Sequence, residues 1–264
     1  FLSMTANALL VADACVPAAL AAALDIRIAP ADAPLLLEHE TIPKLRSEAI
    51  ELDATPAIEV SRAATADGAT ELLYLHVDDG FGSADGLAEQ LPAALEGGAR
   101  IVVDSSEGAL MGCGWQAVAA AEAIRDGGDL DAALAAARGV RAKVRVIAML
   151  EHPELATAAG ATTLDQTRQR VLAELRGADL GLMGLYKERD DALKQLRDRF
   201  ASSIKDGRRT HIAVHHAAAG PGADALARWI ERELSPARLV VAPLTRHAAS
   251  RLGPRMLGIA WYED

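Results

Sequence analysis

Two groups of polar residues in the sequence have the types and spacing for chemistry. His76 and the pair Asp78-Asp79 stand at the end of an apolar run, and a histidine beside two carboxylates is suited to acid–base or metal-ion chemistry. Near the end of the sequence, Arg251 precedes Gly253-Pro254 and a further apolar run. A guanidinium can bind a carboxylate through two parallel hydrogen bonds. The sequence therefore contains one candidate acidic site and one candidate anion site.

Both groups stand next to predicted strands. Apolar runs bounded by small or turn residues predict strands, and patterns with apolar residues three and four positions apart predict helices between most of them. This alternation indicates an α/β fold with parallel sheets covered by helices. The predicted strands are 8–12, 71–77, 100–104, 144–150, 180–186, 211–215, 239–244 and 256–262. The predicted helices are 17–24, 83–95, 114–126, 130–137, 164–176, 190–203 and 223–234.

The segment 154–164 is rich in alanine, threonine and glycine and is the candidate domain boundary. It predicts an N-terminal α/β domain over 4–153 and a C-terminal α/β domain over 154–264. Both lengths fall within the usual range for single domains.

The composition excludes several classes of function. Aromatic residues make up only 3% of the chain, which leaves few stacking platforms for single-stranded nucleic acid and predicts pockets lined by aliphatic side chains. A net charge of −10 repels phosphate backbones. The chain has two cysteines, no Cys-x-x-Cys, and no apolar run of membrane-spanning length. We therefore expect a cytoplasmic protein with no nucleic-acid partner and no transmembrane segment.

Six short segments follow one another in the order found in a known family. The C-terminal one combines Arg251 with the Gly253-Pro254 turn, and the second contains Asp78-Asp79. The other segments include LLVADACVP at 9–17, IVVDSSEGALMGCGWQAV at 101–118, the region 127–151, and a strand that ends in two histidines at 211–216. Together they resemble the DegV family, fatty-acid-binding proteins that present acyl chains to a fatty acid kinase.

The resemblance implies a fold, a ligand and a partner. It implies two α/β domains with helix-covered sheets, an acyl chain buried in one domain and a carboxylate near the domain interface. The chain is then a binding protein and not an enzyme, its partners are a fatty acid and a fatty acid kinase subunit, and it needs no cofactor. The implied ligand-binding residues are Asp53, Thr55, Asp78, Asp79, Gly80, Phe81, Ser83, Arg251, Gly253, Pro254 and Met256.

The sequence departs from the family at the head-group residues. Asp78-Asp79 replaces a serine pair, Asp53 opens the segment that matches the family's Thr-Ser-Gln-Pro loop, and Arg251 replaces a histidine. Two like charges about 4 Å apart repel by roughly 4 kcal/mol at an effective dielectric near 20. One such aspartate could therefore cancel the energy that orients a carboxylate, and Arg251 could restore a similar amount.

Three arrangements of this site are open at the level of sequence. Arg251 binds the carboxylate directly, with the aspartates turned away or capping the following helix. Alternatively, Arg251 pairs with one of the aspartates and leaves an apolar pocket without an anion receptor. In the third arrangement the acidic loop binds an amine or hydroxyl head group.

Two other functions are also open. The chain could be a hydrolase or phosphotransferase that uses Asp78, Asp79 and His76 as an acid–base or metal cluster. It could also be a divergent lipid carrier or regulator that is no longer coupled to a kinase. Away from these residues, Asp104 is predicted to cap a helix, and His215-His216 is predicted to have a structural role.

Overall fold

The computed structural model describes residues 7–11, 15–29, 54–77, 86–96, 98–158, 169–177, 179–205 and 207–264. The strands are β1 (Asn7–Val11), β2 (Ile26–Ile28), β3 (Glu71–His76), β4 (Arg100–Ser105), β5 (Arg145–Leu150), β6 (Arg170–Arg176), β7 (Asp179–Tyr186), β8 (Thr210–His216), β9 (Arg238–Pro243) and β10 (Leu257–Glu263). The helices are α1 (Ala18–Ala23), α2 (Thr55–Ala66), α3 (Leu87–Ala94), α4 (Met111–Arg125), α5 (Leu130–Arg141), α6 (Pro153–Ala158), α7 (Arg189–Ser203), α8 (Gly220–Leu234) and α9 (Arg246–Leu252).

The first sheet is parallel, as the alternation of strands and helices predicts. Its strand order is β2-β1-β3-β4, with Leu73 of β3 level with Leu9 on one side and Val102 on the other. Buried residues of α2 and α3 pack against the outer face of this sheet, where they form a core with Leu72 and Tyr74.

The second sheet is mostly antiparallel, so the prediction of parallel sheets is wrong for this part of the chain. Its order is β7-β6-β5-β10-β8-β9, and only β8 and β9 are parallel. The last strand, β10, lies between β5 and β8 and is antiparallel to both. Alternation along the chain could not reveal this insertion, because strand order depends on contacts between distant segments.

The helix predicted at 164–176 is also wrong, because 170–176 forms strand β6. Val171 and Ala173 face the core shared with the first sheet, whereas Leu172 faces the core under α7. A strand that is buried on both faces carries apolar residues at consecutive positions and loses the alternation of a half-exposed strand. In this segment the resulting spacing imitates that of a helix. The short strand β2 and helices α2, α6 and α9 were not predicted.

Helix α4 lies between the two sheets and is the centre of the largest core. Ten of its residues are buried, and that core includes Leu73 and Leu75 of the first sheet together with Ala148 and Ala260 of the second. The Trp115 indole nitrogen donates a hydrogen bond to the main-chain oxygen of Ala260 at 3.0 Å. The helix is therefore packed against the second sheet and bonded to it.

Glycine permits this close approach. A Cβ atom at Gly112 would lie 3.2 Å from Cγ2 of Val146 on β5, which is tighter than most real contacts. The sheet therefore sits against the α4 backbone at this point.

The domain boundary at 153/154 stays a prediction. Strand β5 precedes that boundary in sequence, yet it pairs with β6 and β10 in the second sheet. The division between the sheets thus falls earlier in the chain than the predicted boundary.

Asp104, near the end of β4, was predicted to cap a helix, and that prediction is wrong. Its carboxylate accepts hydrogen bonds from Arg138, at 2.6 Å, and from Arg141, both on α5. Burial alone would raise the pKa of Asp104, but the two guanidinium groups outweigh burial and hold the pKa below its usual value. Asp104 therefore anchors α5 to the end of the first sheet.

Candidate functional site

One edge of the second sheet brings together residues that are far apart in sequence. Strands β5, β7, β8 and β9 end at this edge and β10 begins there, since Leu257 is level with both Met149 and His216. We call it the upper edge. The carboxyl ends of strands in open α/β sheets are common positions for ligands. The predicted residues Arg251, Gly253, Pro254 and Met256 lie at this edge, in the last turn of α9 and in the segment that leads from it to β10.

The turn that carries these residues is fixed on two sides. Gly253 ends α9 with a φ of +84°, and a Cβ atom there would lie 3.0 Å from Cβ of His152. The Arg255 N–H donates to the Ala217 oxygen at 2.7 Å, and the Ala217 N–H donates to the Met256 oxygen at 3.1 Å. The turn is therefore held between the segments that follow β5 and β8.

Arg251 lies in the last turn of α9 and is half-buried. Burial lowers the pKa of its guanidinium below the usual value. An arginine nevertheless keeps its charge at neutral pH, because its ordinary pKa is so high. A partly desolvated guanidinium interacts more strongly with an anion than an exposed one does, so Arg251 is suited to bind a carboxylate.

A second ionic group marks the same edge. The Glu151 carboxylate, which follows β5, accepts hydrogen bonds from Arg170, at 2.9 Å, and from Arg189. Burial by itself raises the pKa of Glu151, but the bonds from Arg189 and Arg170 hold it below the usual value. These two arginines are thus neutralised by a protein carboxylate.

The other predicted site residues are divided between described and undescribed parts of the chain. Thr55 is the first residue of α2. The remaining predicted site residues lie outside the described ranges: Asp53, Asp78, Asp79, Gly80, Phe81 and Ser83. That these residues come close to the Arg251 turn therefore stays a prediction.

The acid–base and metal alternative receives no support from the residues that the structure describes. His76 is buried at the end of β3, with Nδ1 2.9 Å from the Val77 oxygen. No three His, Cys, Asp or Glu side chains in the described ranges are grouped so that they could hold a metal ion.

An apolar groove runs down the outer face of the second sheet from its upper edge. Helices α7 and α8 both follow strands that end at that edge, so they run parallel to each other. Between them lies a groove of 340 Å³ whose floor includes Leu196 and Leu257. Leu257 directly follows Met256 in sequence, so the upper end of the groove and the Arg251 turn lie at the same edge of the sheet.

The groove is lined by matching helical stripes that sequence analysis did not identify as a site. Each stripe has residues at positions i, i+3, i+4 and i+7, which share one helical face. The stripe on α7 is Asp190, Leu193, Lys194 and Arg197, and the stripe on α8 is Gly222, Ala225, Leu226 and Trp229. The spacing of apolar residues predicted both helices. It could not show whether an apolar helical face lines a groove or packs against another element.

The fold of this chain is shared with proteins of known structure, although its sequence is not. No protein-family model matches the sequence, and no curated protein is detectably similar to it. Many solved structures share its fold, among them DegV of Bacillus subtilis, a fatty acid binding protein (15% identity, TM-score 0.77, 98% of this chain and 100% of that one). Another, from Thermotoga maritima, is described as having a fatty acid binding function (14% identity, TM-score 0.78, 98% and 100% coverage). A third is a stearic acid-binding protein of Eubacterium ventriosum (14% identity, TM-score 0.71, 97% and 98% coverage).

The chain has the DegV-like fold. The resemblance of six short segments is thereby confirmed at the level of fold, over almost the whole chain and at low identity. The predicted fold class, two α/β units with helix-covered sheets, is confirmed with it. No helix in the described residues is long and apolar enough to cross a membrane.

In this DegV-like structure the predicted structural role of His215 is explained by its contacts. The ring is fully buried at the end of β8. Nε2 accepts the Met111 N–H at 3.2 Å, and Nδ1 lies 3.0 Å from the Ala242 oxygen. Nδ1 therefore carries the proton, and the neutral ring joins the start of α4 to β9. Burial lowers the pKa of His215 to about 4.

Acidification should weaken the DegV-like fold through His215. The unfolded chain binds a proton near the ordinary pKa of 6.5, whereas the folded ring resists protonation until about 4. The contribution of His215 to the free energy of unfolding is therefore complete above pH 6.5 and is lost as the pH falls towards 4. The loss amounts to about 3 kcal/mol. Denaturant unfolding at a series of pH values measures it. We expect the slope over this range to be shallower in His215→Gln, and equal slopes would contradict the assignment.

Proposed function

We propose that the chain binds a long-chain fatty acid, or a similar acyl lipid, with its tail in the groove between α7 and α8 and its carboxylate at Arg251. The observation that carries the proposal is the apolar groove, whose upper end lies at the same edge of the sheet as the Arg251 turn. Proteins with the same fold that are described as binding fatty acids support it. The function requires no cofactor and no bond-making by this chain. A cytoplasmic location agrees with two buried cysteines that form no disulfide bond.

The tail supplies most of the affinity in this proposal. Each methylene that leaves water contributes about 0.8 kcal/mol, so a chain of about sixteen carbons gains on the order of 12 kcal/mol when it is fully buried. Leu193 and Leu226, which are partly exposed in the groove, offer aliphatic surface to such a chain. The few aromatic residues of the sequence are in keeping with this kind of lining.

The head group needs orientation more than affinity. Arg251 supplies a charge that is already partly desolvated, so binding costs less than at an exposed side chain. Arg170 and Arg189, at the same edge, are bound to Glu151 and are not assigned to the ligand.

Replacing Arg251 with alanine should remove the head-group contact. Native mass spectrometry of protein purified without denaturation should show a fatty acid mass on the wild type. We expect at least a ten-fold lower occupancy in Arg251→Ala, because a charge-assisted hydrogen bond contributes about 1.5–3 kcal/mol.

Arg255→Ala is the matched control, since Arg255 is exposed and lies four residues further along the same turn. It should retain the lipid of the wild type. Absence of lipid from delipidated wild type after incubation with long-chain fatty acids would overturn the proposed function. Equal loss in both variants would remove Arg251 from its assigned role.

Filling the groove should exclude the tail while the core stays intact. Ala225 is exposed and lines the middle of the groove, so Ala225→Phe adds a ring there without entering the buried core. We expect loss of bound fatty acid with a thermal midpoint close to that of the wild type. Ala135→Phe makes the same change on an exposed position of α5 and should bind normally. Normal binding in Ala225→Phe would place the tail elsewhere.

We further propose that the bound carboxylate is presented to a fatty acid kinase subunit. The support is the position of Arg251 at the upper edge of the second sheet, where the carboxyl ends of four strands lie. Lipid-loaded protein, ATP and a fatty acid kinase from the same organism should together yield acyl phosphate, and delipidated protein should yield none. If lipid binds but no complex or product forms, the chain is instead a carrier uncoupled from a kinase.

A further inference from the structure

A contact between the two helices bridges the lower end of the groove between α7 and α8. Its upper end lies at Asp190 and Gly222, and its lower end at Arg197 and Trp229, one stripe length down each helix. The Arg197 guanidinium carbon is 5.4 Å from the centre of the Trp229 ring. This cation–π contact joins the two helices across the groove.

Beyond this contact the space between the helices is filled. Phe200, the next inward residue of α7, is fully buried, as is Ile230 of α8. The Phe200 ring packs edge-on against Trp261, with centroids 5.1 Å apart. A ligand that enters at the upper edge therefore meets the indole of Trp229 and, below it, space that side chains already fill.

The contact between Arg197 and Trp229 is suited to face the methyl end of an acyl chain and not its carboxylate. The guanidinium lies over the aromatic face and is 3.4 Å from a carboxylate oxygen of Asp198. A flat arginine stacked on an indole presents largely apolar surface to a neighbouring methyl group. The terminal methyl of an acyl chain fits such a surface.

We propose that Trp229, held by Arg197, is the residue that limits the chain length of the acyl ligand. This inference rests on the proposed function and adds to it a determinant of ligand length. A chain that ends at Trp229 keeps all its methylenes along the groove, whereas a longer chain extends beyond the groove lining. Each methylene that gains room raises affinity about four-fold, which is 0.8 kcal/mol converted at 1.4 kcal/mol per ten-fold.

Competition between fatty acids of different length tests this. Delipidated protein is incubated with an equimolar mixture of saturated even-numbered acids from decanoic to eicosanoic, and native mass spectrometry gives the distribution bound. In Trp229→Ala we expect the distribution to move to longer acids. If two further methylenes find room, the longer acid gains about fourteen-fold over the length that the wild type prefers. Trp229→Phe keeps an aromatic wall and should retain the wild-type distribution.

The failures of the two proposals are distinguishable. No acid bound to the wild type overturns the proposed function itself. Acids bound to wild type and to Trp229→Ala with the same distribution overturn the length limit alone. Loss of all binding in Arg197→Ala would place the carboxylate of the ligand at the lower end of the groove and would also overturn the length limit. Trp229→Leu, which retains an aliphatic side chain, should show the same direction of change if the alanine variant does not fold.

Discussion

Helix α4 is buried between two sheets, and the remainder of the structure depends on how that burial is accommodated. A helix enclosed in this way must be apolar or small on all sides, and the sequence from Met111 to Ala121 meets this condition. Its few polar groups have specific partners. Trp115 donates to β10, and Gln116 donates to the oxygens of Ser106 and Gly112. Because both sheets pack on one helix, a change in its position would alter the two together.

Carboxylates at the ends of strands hold the helices around this core. Asp104, after β4, binds two arginines of α5, and Glu151, after β5, binds arginines from β6 and α7. In each case a largely buried acid accepts charge-assisted bonds from less buried guanidinium groups. A buried charge without a partner would be costly, so these pairs define where the segments that follow the strands can lie. The Arg251 turn occupies the same edge as Glu151 and is positioned by main-chain bonds.

The groove on the outer face is a consequence of topology. Helix α7 links β7 to β8, which lie at separate positions in the sheet with β6, β5 and β10 between them. Helix α8 links the adjacent strands β8 and β9. The two helices therefore cover different strands and leave a gap that has Leu257 of β10 at its floor. An apolar ligand site can arise in this way without any specialised loop.

The sequence by itself determined most of the elements and the class of fold, because the periodicity of apolar residues is a local property. It also identified the C-terminal turn, since a Gly-Pro turn before an apolar strand is visible in a few residues. It misassigned 170–176, where burial on both faces removed the alternation that marks a strand. The Asp104 ion pairs, the insertion of β10 between β5 and β8, and the groove that ends at Trp229 were decided only by tertiary structure. Each depends on residues that are distant in sequence and become neighbours only when the sheets and helices pack.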